Sequence, residues 1–373
     1  MLRNLEQIAN DLEKNFDLDR RFVVAEFRIN AKVNGIEFVT SSSYAGQRAE
    51  KMFLKYRSSL TRKEADSVSF TIHLLPDKSV GDYLFGLSNV GTAAVRSQPT
   101  PVSEIKTEVL LGESFDVLEI LPEGWVRVRL HGDGYIGWVS SSQVKLLTPG
   151  EFQAWGSLPK AQIKEKIVFL RSKPSERSEA VRDAVIGVRL PVGAARGGWR
   201  ELLLPDGERA WGKNEWLGLV QSYLRRRSGI AEPRAVSSLS IIKTALSFLG
   251  VSYLWGGRSP KGFDCSGFVQ TVFHLNGIEL PRDANLQWRA GKFIGKDFKK
   301  IREGDLVFFR RHQWQGEGNG ITHVGIALGE EKDIIHASGF VRISSLDPRS
   351  QRYEERLAKT FAGARRLVTT NSA

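Results

Sequence analysis

The sequence predicts a multidomain α+β protein with a small N-terminal α/β domain, two small β-barrels and a larger C-terminal α+β domain. Three observations lead to this fold class. The 373 residues are enough for about two to four domains. A pattern of short strands occurs twice in the middle of the chain. The one cysteine, Cys265, stands between a glycine-rich stretch and an apolar run, and histidines on predicted strands follow it.

Residues 1–80 form the predicted N-terminal α/β domain. The alternating runs RRFVVAEFRINAKV and IEFVTSSS flank Asn34-Gly35, a pair that predicts a tight hairpin turn. YAGQRAEKMFLKYRSSL has the apolar spacing of a helix, and SVSFTIHLL alternates as a strand. Because no pattern of reactive side chains occurs here, we expect this domain to pack against its neighbours rather than to catalyse.

An internal repeat follows this domain. VRSQP at 95–99 returns as LRSKP at 170–174, and GYIGW at 134–138 returns as GERAW at 207–211. The offset between the copies shrinks from 75 to 73, as single deletions in loops would produce. Each copy consists of short strands separated by Gly, Pro and Asp, which is typical of a small β-barrel. The predicted barrels span 81–149 and 150–220.

A change in composition marks a linker at 221–235, where a basic run is followed by Gly, Pro and Ser without amphipathic periodicity. The last domain, 236–373, opens with the helical pattern SLSIIKTALSFLG. It carries 20 basic and 13 acidic residues in a chain of net charge +12. Such a surplus is typical of a solvated basic surface or of attraction to an anionic ligand.

Several partners and locations are not expected. No basic helix interleaved with stacking aromatics occurs, so the sequence does not predict nucleic-acid binding. No apolar run reaches the ~18 residues of a membrane-spanning helix. MLRNLEQIANDLEKNF is interrupted by charges and lacks the apolar segment of a signal peptide. One cysteine cannot form an internal disulfide. These features predict a cytoplasmic protein with no membrane partner.

The segment FDCSGFVQTVFHLNG predicts a turn that leads into a helix. Asp264 is the expected N-cap, and Asn276-Gly277 ends the helix. Cys265 then lies in the first helical turn, where the partial positive charge and the free N–H groups favour the thiolate. From position alone, Cys265 is either a nucleophile or a small packing residue.

A nucleophilic cysteine needs a base, and two histidines lie on predicted strands. ITHVGIAL places His323, Gly325 and Ala327 on one face, which leaves space beside the imidazole. DIIHAS carries His336 and can lie antiparallel to the first strand. His336 can then accept a hydrogen bond from the far nitrogen of His323 and set its tautomer. The alternative is two histidines that bond to backbone groups in a half-buried sheet.

The other four histidines are weaker candidates. His274 lies nine residues after Cys265 on one predicted helix and faces away from it. His73 and His131 belong to other predicted domains, and His312 lies in an apparent loop.

A metal site is another interpretation of one cysteine and two histidines. Their separations of 58 and 13 residues match no compact zinc motif. No metal and no other cofactor is therefore predicted, although such a cluster could bind zinc adventitiously.

The order of a helix-borne Cys, a strand-borne His and a polar residue on the next strand is that of papain-like enzymes. YLWGGRSPKGFDCSGFV, LPRDANLQ, GDLVFF, THVGIAL and IIHAS together resemble NlpC-type cysteine peptidases, bacterial enzymes that cleave cell-wall peptides. The resemblance covers about 236–373 and implies a papain-like α+β domain. It implies that Cys265 is the nucleophile, His323 the base and His336 the orienting residue. Tyr253 and the backbone N–H of Cys265 would stabilise the oxyanion.

The two repeats resemble bacterial SH3 domains, and the first copy does so more closely. Two such SH3-like barrels before an NlpC-type domain resemble the γ-D-glutamyl-L-diamino acid endopeptidases of the YkfC-like branch. This resemblance implies hydrolysis of the bond after γ-linked D-glutamate in murein peptides whose L-alanine amine is free, and a role in recycling these peptides. It implies that Asp264, Ser266, Glu104 and Tyr135 hold the amine end. The second copy has Glu208 in place of Tyr135, through a task special to the first copy or through loop drift.

Two other functions stay open at this point: a murein-binding protein with a degenerate peptidase domain, and a papain-like acyl or amide transferase. The basic C-terminal domain also offers Arg258 or Arg282 as a partner for the D-glutamate carboxylate.

Overall fold

The computed structural model describes residues 2–219, 236–311, 320–329 and 332–367. The predicted linker 221–235 and His312 lie outside these ranges. The chain forms two compact units. The first contains Met1–Asn89, Val95–Glu104 and Glu113–Ser157, and the second contains Val90–Ala94, Ile105–Gly112 and the described part of Leu158–Ala373. The strand Ile105–Leu110 of the first repeat thus belongs to the same unit as the C-terminal domain.

The N-terminal domain is a three-stranded sheet covered by helices, as an α/β domain requires. Its strands β1 and β2 form an antiparallel hairpin, and β3 runs parallel to β2 after a helical crossover. Its elements are α1 (Leu2–Lys14), β1 (Ala25–Asn30), β2 (Gly35–Thr40), α2 (Ser43–Arg57), α3 (Arg62–Ser67) and β3 (Ser69–Leu74).

Two details of this domain differ from the sequence analysis. Asn30 pairs with Gly35, so residues 31–34 form the hairpin connection and the predicted tight turn at Asn34-Gly35 is wrong. Asn34 does adopt the left-handed conformation, with φ +44°, but as the last residue of a longer loop. The helix α1 before β1 was not predicted from the sequence. In α1, Leu5, Ile8 and Leu12 are buried on one face despite the charges between them.

The first repeat is an antiparallel sheet. Within the first unit its strands follow the order β10-β4-β7-β8-β9-β5. Its elements are β4 (Phe85–Ser88), β5 (Thr92–Arg96), β6 (Ile105–Leu110), β7 (Ser114–Leu121), β8 (Trp125–Leu130), β9 (Ile136–Ser140) and β10 (Val144–Leu147), followed by α4 (Pro149–Ser157).

The second repeat is likewise an antiparallel sheet, with seven strands in the order β13-β12-β16-β15-β14-β11-β17. Its strands are β11 (Lys160–Ile163), β12 (Ile167–Arg171), β13 (Ala180–Val185), β14 (Arg189–Arg196), β15 (Trp199–Leu203), β16 (Arg209–Lys213) and β17 (Leu217–Leu219).

The repeat inferred from the sequence is also present in the hydrogen bonds. The N–H of Ser97 donates to the carbonyl of Glu104 at 2.9 Å, and the N–H of Ser172 donates to that of Glu179 at 2.9 Å. The Arg96 guanidinium donates to the carbonyl of Ser103, as Arg171 does to that of Ser178. The two copies therefore share loop geometry as well as sequence, and Glu104 corresponds to Glu179.

The C-terminal domain packs helices on both faces of an antiparallel sheet in the order β20-β25-β21-β22-β23-β24. Along the strand Leu306–Arg310, Leu306 and Phe308 belong to the core that contains the helices Ser238–Ser247 and Cys265–Leu275. Val307 and Phe309 belong to a second core with the helix Glu355–Thr360. The helices are α5 (Ser238–Ser247), α6 (Cys265–Leu275), α7 (Ala284–Gln287) and α8 (Glu355–Thr360). The strands are β18 (Arg258–Ser259), β19 (Gly262–Phe263), β20 (Lys292–Gly295), β21 (Leu306–Arg310), β22 (Ile321–Ala327), β23 (Asp333–Ser338), β24 (Phe340–Ser345) and β25 (Phe361–Arg366).

The core contact of α6 gives a test of this packing. Phe268 is fully buried on α6, and Leu239 on α5 is 69% exposed. We expect Phe268→Ala to lower the free energy of unfolding by about 3–5 kcal/mol, because it leaves a cavity in the core. Leu239→Ala should change it by less than about 0.5 kcal/mol. Urea titration followed by circular dichroism measures both, and equal midpoints would contradict the burial of α6.

Candidate active site

Cys265 is the first residue of α6, as the sequence analysis predicted. Asp264 is the N-cap, and its side chain accepts a hydrogen bond from the N–H of Gly267 at 2.7 Å. Residue 267 has to be glycine because a Cβ atom there would lie 2.1 Å from the carbonyl oxygen of Gly257. The glycine-rich loop therefore packs directly on the first turn of the helix and holds the cysteine in place.

The acidity of Cys265 differs from the sequence-based expectation. Burial of the thiol, reinforced by the negative charge of Asp264, raises its pKa to about 12. Hydrogen bonds from the backbone N–H groups of Val324 and Ser266 act in the opposite direction. Cys265 of the free protein therefore remains a protonated thiol although it lies at the helix N-terminus, because desolvation of the anion is the larger effect. The Val324 contact also places the sulfur beside β22, next to His323.

His323 and His336 lie on β22 and β23, which pair antiparallel, as predicted. Nε2 of His323 lies 2.8 Å from Nδ1 of His336, and Nε2 of His336 lies 3.0 Å from Oγ of Ser344. Space for this chain comes from Gly325, where a Cβ atom would lie 3.1 Å from the Cβ of His336. Burial lowers the pKa of His323 to about 4 and that of His336 to about 2. Both imidazoles are therefore neutral at neutral pH.

The hydrogen-bond chain accommodates the tautomers that would make His323 a base. If Nε2 of His323 carries the proton, it donates to Nδ1 of His336, and Nδ1 of His323 is left with a lone pair. His336 then carries its proton on Nε2 and donates to Ser344. Ser344 was not identified from the sequence, although its place on the strand after His336, two residues from the partner of His336 in the sheet, is the signal for it.

Tyr253 lies beside the nucleophile. Its N–H donates to the carbonyl of Gly339 at 2.8 Å, and its backbone forms a bridge with Phe263. Burial, followed by the negative charges of Cys265 and Asp264, raises the pKa of Tyr253 well above its ordinary range. The phenol therefore keeps its proton at any physiological pH and remains a hydrogen-bond donor.

The residues on either side of Cys265 are held by Arg282. This guanidinium is 1% exposed and binds Asp264 through both terminal nitrogens, at 3.0 and 2.5 Å. It also donates to Oγ of Ser266 at 3.1 Å. The hypothesis that Arg282 pairs with a substrate carboxylate is wrong, because all three guanidinium nitrogens already donate to groups inside the protein.

The Asp264 carboxylate has little capacity for a further donor. It accepts from the N–H groups of Gly256 and Gly267, from Oγ of Ser266 and from two nitrogens of Arg282. A carboxylate offers about four lone-pair sites, so these five donors occupy it.

Two residues of β6, which belongs to the second unit, contact the residues around Cys265. They were not identified from the sequence. Thr107 accepts a hydrogen bond from Nε of Arg282 at 2.9 Å. Glu108 accepts from the N–H of Arg258 at 2.8 Å, and Nε of Arg258 donates to the Glu108 carbonyl. Burial raises the pKa of Glu108. No sequence spacing links β6 to the motifs around Cys265, so only the tertiary structure could reveal the contact.

Glu104 and Tyr135 belong to the first unit. Glu104 is exposed, and its carbonyl accepts from Ser97. Tyr135 is only 3% exposed, and its ring meets the ring of Phe22 edge-on at 5.7 Å.

Two of the remaining described histidines pair with carboxylates elsewhere. His131 lies 2.8 Å from Asp116, and His274 lies 2.8 Å from Glu279. Across the described ranges, no three His, Cys, Asp or Glu side chains are grouped as ligands of a metal ion. None of the helices that the structure describes is long and apolar enough to cross a membrane.

Comparison with known proteins matches both parts of this architecture. The sequence profile of the NlpC/P60 family matches residues 250–361, and that of the bacterial dipeptidyl-peptidase SH3 domain matches residues 95–144. The crystal structure of an NlpC/P60 family protein from Bacillus cereus is 25% identical. That match covers 76% of this chain and 100% of the other, with a TM-score of 0.63.

Two relatives are named γ-D-glutamyl-L-lysine dipeptidyl-peptidase. The protein from Bacillus cereus is 31% identical over 278 residues, which is 72% of this chain and 77% of that protein. The protein from Bacillus subtilis is 33% identical over 241 residues, 62% of this chain and 72% of that protein.

The raised pKa of the thiol predicts how Cys265 reacts with iodoacetamide. Because only the thiolate is nucleophilic and its pKa is about 12, the alkylation rate should rise about tenfold per pH unit from about pH 7 to about pH 10. Glutathione, the control, should level off above about pH 9. The chain has one cysteine, so mass spectrometry reads this site alone. A plateau at neutral pH would instead indicate a preformed thiolate–imidazolium pair.

The Ser344 contact predicts an effect on turnover. Ser344→Ala removes the buried partner of His336, so the tautomer of His323 is less well defined and kcat should fall about tenfold. KM should change by less than about twofold. Ser345→Ala is the matched control, since Ser345 is a buried neighbour on the same strand and its Oγ accepts from the N–H of Asp347. Equal loss of kcat in both variants would remove the role of Ser344.

Proposed function

This chain belongs to the NlpC/P60 family of cysteine peptidases, and we propose that it hydrolyses the γ-D-glutamyl-L-diamino acid bond of murein-derived peptides with a free N-terminal L-alanine. The observation that carries the proposal is the position of Cys265 beside β22, at the end of the chain His323–His336–Ser344. The names of the two relatives support the γ-D-glutamyl bond. They make L-lysine a candidate for the diamino acid, beside diaminopimelate.

In the proposed mechanism Cys265 and His323 begin as a neutral pair. The Sγ–H proton moves to Nδ1 of His323 while sulfur attacks the carbonyl carbon of γ-D-glutamate. Because the thiol has a high pKa, this transfer accompanies attack rather than preceding it. His336, with Ser344 behind it, holds the imidazole in place and accepts the hydrogen bond of the imidazolium.

The charge that develops on the carbonyl oxygen needs donors. The hydroxyl of Tyr253 and the backbone N–H of Cys265 are the proposed pair, and one such donor contributes about 3 kcal/mol to transition-state stabilisation. Collapse of the intermediate breaks the C–N bond, and His323 gives its proton to the departing amine of the diamino acid. Water, deprotonated by His323, then hydrolyses the thioester and releases L-Ala-D-Glu.

Recognition of the free amine is proposed to involve Glu104, Tyr135, Asp264 and Ser266. The ammonium group needs a carboxylate or a ring face. Since the donors of the protein already occupy Asp264, direct capture falls to Glu104 and Tyr135. Asp264 and Ser266 contribute shape and negative charge next to the nucleophile.

The substrate class suggests where the enzyme acts. In intact murein the L-alanine amine is blocked, so an enzyme that requires this amine would act on released fragments, in recycling. A cytoplasmic location is part of the proposal, and the single free thiol is compatible with a reducing compartment.

The first experiment uses purified wild-type protein and Cys265→Ala with L-Ala-γ-D-Glu-L-Lys, L-Ala-γ-D-Glu-meso-diaminopimelate and their N-acetylated forms. We expect wild type alone to release L-Ala-D-Glu. Acetylation should lower kcat/KM at least about 100-fold, because it removes the charge that the site binds. Mass spectrometry identifies the products.

The other outcomes separate the remaining functions. Equal cleavage of free and acetylated peptides would keep the peptidase and remove amine recognition. A transfer product in the presence of a competing amine would indicate a transferase. Absence of cleavage, together with sedimentation on insoluble murein, would indicate a binding protein.

A further inference from the structure

Residues 1–80 lie outside both family matches, yet they contact the hairpin that carries Tyr135. The N–H of Ile136 donates to the carbonyl of Arg21 at 2.8 Å. The rings of Phe22 and Tyr135 meet edge-on at 5.7 Å, with an interplanar angle of 88°. A Cβ atom on Gly134 would lie 3.5 Å from the Phe22 ring. The N-terminal domain thus covers the hairpin on both sides of Tyr135.

The Phe22 ring is also in contact with the side chain of Arg21. The guanidinium of Arg21 lies 5.7 Å from the centre of the Phe22 ring. Arg21 is held in turn by Asp19, through Nε at 2.8 Å and Nη2 at 2.6 Å. The ring that meets Tyr135 therefore has a defined position rather than being a freely rotating surface group.

The N-terminal domain is anchored to the first repeat by charges near this point. Glu26 accepts from Arg127 at 2.8 Å and from Arg28 at 2.9 Å, and Arg28 also binds Glu119. Arg127 is 3% exposed and stacks 4.3 Å from the ring centre of Trp138. The Glu26 and Arg28 side chains are each 40% exposed, whereas Arg127 and Glu119 are buried. These ion pairs link the two surfaces at a partly exposed boundary.

An apolar cluster continues the same interface. Val24, Val39 and Leu75 of the N-terminal domain pack with Leu118 and Ile136 of the first repeat. All of these side chains are buried. Since Ile136 follows Tyr135 directly, the backbone on one side of the tyrosine is fixed by this cluster.

The second repeat shows that the hairpin does not need an aromatic residue. The N–H of Tyr135 donates to Asp133 at 3.1 Å, and the N–H of Glu208 donates to Asp206 at 3.0 Å. A backbone bond closes each hairpin, from Leu130 to Tyr135 and from Leu204 to Glu208, although the second loop is one residue shorter. A hairpin of similar hydrogen bonding thus forms around an exposed glutamate, so its formation does not require the buried ring of Tyr135.

We propose that Phe22 of the N-terminal domain is a positioning residue that holds the Tyr135 ring in the orientation in which it receives the substrate's ammonium group. This rests on the proposed function, in which Tyr135 reads the free amine. It gives the N-terminal domain a part in substrate specificity. A side chain held in its bound orientation loses less entropy on binding, so the contact acts on affinity and leaves the chemistry at Cys265 unchanged.

The test compares Phe22→Leu with Phe53→Leu. Phe53 is buried in the same domain and stacks on Phe70 at 4.5 Å, so its variant loses an aromatic pair away from Tyr135. With the free-amine peptide, Phe22→Leu should raise KM about 3- to 10-fold, the effect of one lost aromatic pair, with kcat within about twofold. Phe53→Leu should lower Tm and leave both constants unchanged. Phe22→Tyr, which keeps the ring edge, should retain the wild-type KM.

Combination with Tyr135→Leu separates the inference from the function on which it rests. If Phe22 acts through Tyr135, the two KM effects should not multiply, and the double variant should match Tyr135→Leu alone. If Tyr135→Leu leaves KM unchanged, the proposed amine recognition fails. If Tyr135→Leu raises KM but Phe22→Leu does not, or if Phe53→Leu raises it equally, only the positioning role is overturned.

Discussion

The organisation of the catalytic half depends on one buried ion pair, Asp264 with Arg282. The Asp264 carboxylate caps α6. The Arg282 guanidinium donates to Ser266, on the other side of the nucleophile, and to Thr107 on β6. A buried charge is tolerated only when it is paired and its hydrogen-bonding groups are satisfied. Here the neighbouring backbone and hydroxyl groups meet that condition. Cys265 is therefore held in position by two buried charged groups that require these hydrogen bonds.

Burial also decides the protonation of the reacting groups. A helix N-terminus favours an anion by about 0.3–1 kcal/mol, whereas removing a thiolate from water costs more. The same removal from water keeps His323 and His336 neutral. The free site therefore holds two neutral partners. Because Nε2 of His323 bonds to His336, Nδ1 is the nitrogen left for the sulfur.

The repeats show how one small sheet can acquire different roles. Their loops share the same hydrogen bonds, so the backbone was retained in both copies. The side chains at equivalent positions diverged, and Tyr135 is buried against Phe22 where Glu208 is exposed. The N-terminal domain has no pattern of reactive side chains in its sequence. It contacts the first copy, in which Tyr135 is buried, through Glu26, Arg127 and the apolar cluster around Ile136.

The sequence by itself determined the features that depend on neighbours along the chain. These are the start of α6 at an Asp N-cap, the strands that carry His323 and His336, and the repeat. The tertiary structure decided the rest. It placed Arg282 inside the protein and brought Thr107 and Glu108 to the motifs around Cys265. Helical capping and strand alternation are local, so they can be read from periodicity. Desolvation, the pKa of a thiol and the choice of a buried partner depend on atoms that meet only after folding, and no spacing in the sequence encodes them.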